Sequence, residues 1–243
     1  MIDFDPQLIN TLRAAQYIAV LTGAGVSAES GIPTFRDAQT GIWAQFNPQE
    51  LATPEAFRRN PRLVWDWYAW RRQLVEGAEP NPAHYALAAI EARVPNFALI
   101  TQNVDSLHTR AGSRNLIELH GNLSRVKCFN EDRVVEHWQE RDEPPPRCPQ
   151  CGGLLRPDVV WFGELLPRAA LDAAAEAAQR CDVFLSIGTS GLVEPAASLP
   201  RVALQSGATV LLINPEVPTR ATPPLYAIGA KAGEILPALV DAT

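Results

Sequence analysis

The residues best suited to chemistry in this 243-residue chain stand in short polar segments directly after apolar runs. The first is Gly23-Ala24-Gly25-Val-Ser27-Ala-Glu-Ser-Gly31, which follows the apolar stretch 17–21. A strand emptying into a glycine-rich turn brings backbone N–H groups to the point where a helix begins, and its dipole favours an anion there. Gly23, Ala24 and Gly25 are the expected backbone donors to a diphosphate, and Ser27 adds a hydroxyl. No Gly-Lys-Ser/Thr follows, so this is not a P-loop, and the glycines do not fall as G-x-G-x-x-G. Gln102, Asn103 and Asp105 follow the run 97–100; such residues also cap helices after strands, a role open to Asp105. His120 follows the run 116–119, and an imidazole titrating near neutrality at a strand end is a candidate general base. His84, His108 and His137 read as structural, with His108 near the same strand ends. Gly188-Thr189-Ser190 follows 183–187, and Asn214 and Glu216 follow 209–213.

The elements that must position these groups alternate. Apolar runs of strand length are separated by alanine-rich helical stretches at 84–93, 169–180 and 196–205, after a first helix at 6–16. That rhythm predicts an α/β fold, a doubly wound Rossmann-like parallel sheet with ligands off the carboxyl ends of its strands. Two stretches break it. Residues 38–82 are rich in aromatics and arginine with helical pieces only, and 123–157 hold a Cys-x-x-Cys, a charged segment and a triple proline. They are read as a smaller inserted lobe (about 38–82 and 123–156) on a larger one (about 1–37, 83–122 and 157–243) of a single catalytic domain. The net charge of −6, with no basic block, argues against nucleic-acid binding, and no apolar run approaches a membrane span. The short acidic N-terminus is unlike a targeting peptide, and the paired cysteines suit a reducing compartment, so a cytoplasmic location is expected.

Taken together and in order, the first loop through Thr34-Phe35-Arg36-Asp37, Thr101-Gln-Asn-Val-Asp-Ser-Leu-His108, Glu118-Leu-His-Gly-Asn122, Gly188-Thr-Ser190 and Ile213-Asn-Pro-Glu216 resemble the sirtuins, NAD-dependent protein lysine deacylases. The resemblance runs from about residue 17 to 232. It implies that NAD is consumed as a co-substrate, with acylated lysine side chains of proteins as the other substrate. Phe35 and Arg36 would cover the nicotinamide and its ribose, and Asn103 and Asp105 would line the nicotinamide site. Gly188, Thr189 and Ser190 would serve the adenosine half and diphosphate. Asn214 and Glu216 would meet ribose hydroxyls, and the Ala232 backbone would meet adenine. The implied reaction is attack of the acyl oxygen on C1′ as nicotinamide leaves. His120 then helps deprotonate a ribose hydroxyl, giving lysine and 2′-O-acyl-ADP-ribose.

Tyr68 and Arg71 are spaced i, i+3 and share a face if residues 65–74 are helical. A guanidinium beside a phenol suits a carboxylate, and the pair resembles the class III sirtuins, which remove succinyl and malonyl as well as acetyl groups. A helix with inward aromatics and solvated arginines is the plainer alternative. Cys148 and Cys151 form half of a structural zinc site and Cys128 begins the other half, but Glu131 stands where a fourth cysteine is expected. Glu131, Asp132 or His137 could complete it, and Cys181 reads as core packing. Mono-ADP-ribosyl transfer and non-catalytic NAD or ADP-ribose binding are the competing functions, and a dehydrogenase is the weakest.

Overall fold

The computed structural model describes residues 4–33, 47–138, 144–217 and 221–243. In chain order the elements are α1 (Pro6–Ala14), β1 (Tyr17–Thr22), α2 (Ala24–Ala28), α3 (Pro48–Leu51), α4 (Pro54–Arg59), α5 (Pro61–Gly77), α6 (Pro82–Glu91), β2 (Asn96–Thr101), α7 (Leu107–Arg110), β3 (Leu116–Glu118), β4 (Gly121–Cys128), β5 (Leu155–Val159), α8 (Arg168–Arg180), β6 (Val183–Ile187), α9 (Leu199–Gln205), β7 (Thr209–Ile213), β8 (Leu225–Ile228) and α10 (Ala232–Ala242). One sequence device opens α1, α4, α5 and α6: a capping side chain followed by proline. Asp5, Thr53, Asn60 and Asn81 each accept a backbone N–H of the first turn, and Pro6, Pro54, Pro61 and Pro82 take the position that needs no N–H partner.

Six strands form one parallel sheet in the order β3-β2-β1-β6-β7-β8. β1 lies between β2 and β6 and is buried on both faces, which is why it reads as a continuous apolar run. Its side chains alternate between two cores. Ile18 and Val20 join Leu8 and Leu12 of α1, Leu87 of α6 and Leu236 of α10, whereas Ala19 and Leu21 face Ala174 and Ala178 of α8 and Ala203 of α9. The doubly wound α/β architecture expected from the sequence is the one observed.

Three strands were not expected. β8 is a half-buried, four-residue edge strand following Pro223-Pro224. β4 and β5 pair antiparallel in a separate two-stranded sheet at the two ends of the stretch that holds the cysteine pair. That small sheet packs with α3, α4 and α5 around Phe57, Trp67, Tyr68, Leu123, Val159 and Trp161. The single helix expected at 196–205 begins instead as a 3-10 turn at Ala196–Ser198 before α9. Among the described residues no helix is long and apolar enough to cross a membrane.

Candidate active site at the switch point of the sheet

β1 and β6 are neighbours from which the chain proceeds in opposite directions across the sheet, and the crevice beyond such a pair is where ligands of this architecture sit. The loops leaving the two strands are stitched together there. The Gly23 N–H donates to the Ile187 carbonyl at 3.1 Å, and the Gly25 N–H to the Gly188 carbonyl at 2.8 Å. The expectation that Gly23 and Gly25 supply backbone donors to a ligand is thereby corrected: both N–H groups are used inside the protein. Ala24, exposed as the first residue of α2, keeps an N–H with no partner inside its helix. The glycines are required for close approach instead. A Cβ on Gly25 would lie 2.8 Å from the Gly188 carbonyl oxygen and 2.9 Å from its Cα, and Gly188 itself has φ +60°. Gly25→Ala is expected to destabilise the protein by about 2 kcal/mol despite the better helix propensity of alanine, lowering Tm by roughly 4–8 °C. Gly77→Ala, with nothing near its Cβ, should leave Tm unchanged or slightly raised in the same melting experiment; equal melting of the two variants would contradict the packing role.

A connected set of polar side chains fills the crevice. The buried Ser27 hydroxyl, expected to face a ligand, instead donates to Asp105 Oδ2 at 2.6 Å. The other Asp105 oxygen accepts the Leu107 N–H at 3.0 Å, so Asp105 does cap the turn into α7. Burial pushes its carboxyl up from the usual range, and these bonds oppose that shift. Both hydrogens of the Asn103 amide are committed, to the Gly23 carbonyl and to Ser27 Oγ, each at 3.0 Å. Its Oδ1 is the atom left to act on a ligand. Gln102 Nε2 reaches Thr189 Oγ1 at 3.0 Å, joining β2 to the loop after β6.

His120 is held by the same residue. Its Nδ1 lies 2.9 Å from the Gln102 carbonyl oxygen. A carbonyl can only accept, so Nδ1 carries the proton and Nε2 keeps its lone pair. Burial lowers the imidazole pKa, with the Gln102 contact opposing it, which keeps the ring neutral at pH 7. The arrangement is that of an oriented imidazole with a free lone pair beside the switch point of the sheet.

The Sir2 family profile matches residues 23–195. This chain belongs to the Sir2 family. It is 51% identical over 241 residues to NAD-dependent protein deacylase 1 of Pseudomonas aeruginosa, covering 96% of each chain. The crystal structure of a Sir2 homolog–NAD complex superposes with TM-score 0.88 at 48% identity, over 98% of this chain and 93% of the other. A Sir2–p53 peptide–NAD+ structure superposes with TM-score 0.83 at 30% identity, over 97% of each.

Of the other Sir2-type positions named from the sequence, Ser190 is exposed in the loop after β6. Asn214 turns the chain after β7, its amide donating to the Glu216 carbonyl at 2.9 Å, with Glu216 exposed. Ala232 is buried as the first residue of α10. Phe35 and Arg36 lie outside the described residues.

Tyr68 and Arg71 do share one face of α5. Tyr68 is packed in the aromatic cluster of the small sheet, and its oxygen accepts the Trp161 indole N–H at 2.9 Å. Burial drives the phenol up to about 12 although the Arg71 charge pulls it down. The Arg71 guanidinium stands 5.1 Å from the centre of the Trp67 ring and lines a small cavity with Ile32, Pro33, Trp70, Leu74 and Val75. Burial lowers its pKa, and the nearby Tyr68 and Asp105 oppose that shift. Trp161 and Gln102's bridging role had no signal in residue spacing; Trp161 lies far in sequence from Tyr68 and only the fold joins them.

Behind the crevice sits a buried histidine pair. His84 Nδ1 accepts the Asn81 N–H at 3.3 Å in the cap of α6. The Thr22 hydroxyl donates to Thr101, so His108 Nε2 donates to Thr22 at 3.0 Å. The two rings lie 4.7 Å apart, and His84 Nε2 and His108 Nδ1 are buried without a partner among the described residues. Desolvation lowers their pKa values to about 4 and about 3. The unfolded chain takes up these protons near pH 6.5 and the native state does not, so stability falls with pH from about 6.5 down to about 4. Urea titrations at pH 7 and pH 5 should differ by about 3 kcal/mol from this pair; equal stability at the two values would contradict its burial in neutral form.

The cysteine cluster lies apart from the crevice. Cys128, Cys148, Cys151 and Glu131 place one ligand atom each within 4.8 Å of one another, with Cys128 Sγ and Cys151 Sγ 3.4 Å apart. Three thiolates and a carboxylate at these separations fit a tetrahedral zinc ion, whose sulfur ligands stand about 3.7 Å apart. Of the candidates for the fourth position, Glu131 alone stands with the three thiols among the described residues, although its carboxylate also pairs with Arg133 at 2.9 Å; Asp132 and His137 lie outside the cluster. Such an ion would tie the β4 end to the 148–151 turn.

Proposed function

We propose that this Sir2-family chain, an NAD-dependent protein deacylase, removes succinyl, malonyl and acetyl groups from lysine side chains of proteins, releasing nicotinamide and 2′-O-acyl-ADP-ribose. The deacylase activity follows from the family and from its deacylase relative. The acyl range rests on one observation: Tyr68 and Arg71 share one face of α5, where the Arg71 guanidinium lines a small cavity with Ile32 and Pro33.

NAD supplies a glycosidic carbon with nicotinamide as leaving group. The chain's own residues do the rest. Asn103 Oδ1, fixed by the amide's two committed hydrogens, orients the carboxamide end, and Asp105 holds the Ser27 side of the same wall. His120 Nε2 takes the proton of a ribose hydroxyl, and the Gln102 carbonyl steadies the imidazolium that forms. Ala24, Gly188, Thr189 and Ser190 face the diphosphate and adenosine side, with Gly23 and Gly25 serving by close packing. Asn214, Glu216 and Ala232 take the distal ribose and adenine, and Phe35 and Arg36 the nicotinamide. Arg71 and the Tyr68 hydroxyl meet the carboxylate of an acidic acyl chain.

In this reading the six-stranded sheet is the larger lobe and the small sheet with α3, α4 and α5 the smaller, the substrates lying between them. The carboxylate at the zinc site acts structurally. Neither nucleic acid nor membrane is a partner, and thiols gathered at a metal site suit the cytoplasm. Nicotinamide release measured with acylated peptide, with the unmodified peptide and with no peptide tests the reaction class. Release that requires the acyl group is expected; equal release without it would favour ADP-ribosyl transfer.

A further inference from the structure

We propose that Trp161 is a positioning residue for acyl selectivity: its indole N–H fixes the Tyr68 oxygen as an acceptor and so turns the phenol proton toward the acyl carboxylate. The inference rests on the acidic-acyl reading above and concerns how that pocket is tuned.

The chemistry is one of donor and acceptor types. An indole nitrogen donates and never accepts, so the 2.9 Å contact engages a lone pair of the Tyr68 oxygen and cannot absorb its proton. The phenol hydrogen must point to another acceptor. A phenol pushed up to about 12 stays protonated throughout the working pH range and remains a donor. Without the indole N–H, the hydroxyl is free to rotate, and its lone pairs can face an incoming carboxylate, which repels them.

Trp161 is itself locked. Its backbone N–H donates to Glu164 Oε2 at 2.8 Å, and the buried Arg156 guanidinium lies 3.3 Å from the ring centre while pairing with the same glutamate. Phe57 closes another side at 5.4 Å between ring centroids. These three contacts, one on the backbone and two on the ring, set the N–H direction by the fold before any substrate binds, which is preorganisation rather than adjustment.

Trp161→Phe removes the N–H and keeps an aromatic ring over Arg156. With matched succinyl- and acetyl-lysine peptides, KM for the succinyl peptide is expected to rise about tenfold with little change in kcat, the value of one hydrogen bond to a charged partner. The succinyl-to-acetyl ratio of kcat/KM should fall by the same factor, and in a Tyr68→Phe background Trp161→Phe should change it no further. Parallel losses on both peptides, an unchanged ratio, or a ratio loss that adds fully to that of Tyr68→Phe would overturn the proposal. If the phenylalanine variant does not fold, benzothienylalanine at position 161, which replaces N–H by sulfur at nearly constant shape, gives the same reading. Arg71→Met separates the two claims. A selective succinyl loss in Arg71→Met but not in Trp161→Phe leaves the pocket standing and removes Trp161 from it. No selective loss in Arg71→Met or Tyr68→Phe removes the pocket and this inference together.

Discussion

Replacing His120 with alanine is expected to lower kcat/KM by roughly 10²–10⁴-fold on every acyl peptide alike. The expectation comes from tautomer and place. The Gln102 carbonyl accepts a hydrogen bond from Nδ1–H, so Nε2 is a bare lone pair just after β3, beside the crevice. Burial holds the pKa below its ordinary value, so the base form dominates at neutral pH, and the rate should fall as pH drops through that lowered pKa. In the proposed sequence the proton transfer follows nicotinamide departure. Exchange of labelled nicotinamide into NAD, dependent on acyl peptide, should therefore survive in His120→Ala while product formation fails. A variant that keeps full deacylation would remove His120 from the mechanism.

Replacing Arg71 with methionine should cut desuccinylation roughly 100-fold and deacetylation far less, since charge-assisted hydrogen bonds to a carboxylate contribute about 1.5–3 kcal/mol. Methionine keeps most of the stem that packs beside Trp70 and Leu74, so the loss reports the charge. The loss should appear chiefly in KM for the succinyl peptide, and steady-state kinetics on paired peptides read it directly. Equal losses on acetyl and succinyl substrates would assign Arg71 to the scaffold of α5 instead.

What is legible in the sequence follows from burial. β6 and β7 sit inside the sheet, so their runs at 183–187 and 209–213 are nearly uninterrupted and their limits were legible to the residue. β4 carries Asn122, Ser124, Arg125 and Lys127, and β8 is a half-buried edge, so neither has a period strong enough to stand out. The first loop was legible as a place of close approach but not as to what approaches. Spacing alone does not say whether a glycine N–H meets a ligand or the neighbouring backbone, and here Gly23 and Gly25 meet Ile187 and Gly188. Glu131 was one of three open choices because carboxylates at the surface are common; which of them stands beside the three thiols is set by the fold. Trp161 belonged to no motif, and its bond to Tyr68 joins two segments that only the folded chain brings together.

An NAD-consuming deacylase with a pocket for acidic acyl groups should strip those groups from lysine only when NAD is present. Mass spectrometry of matched acetyl-, malonyl- and succinyl-lysine peptides, incubated with and without NAD, tests it most directly. NAD-dependent loss of all three groups is expected, the acidic ones prominently, with the corresponding acyl-ADP-ribose appearing in step. Loss of acetyl alone would contradict the roles of Tyr68 and Arg71, and no NAD-dependent loss from any peptide would contradict the proposed reaction of this chain.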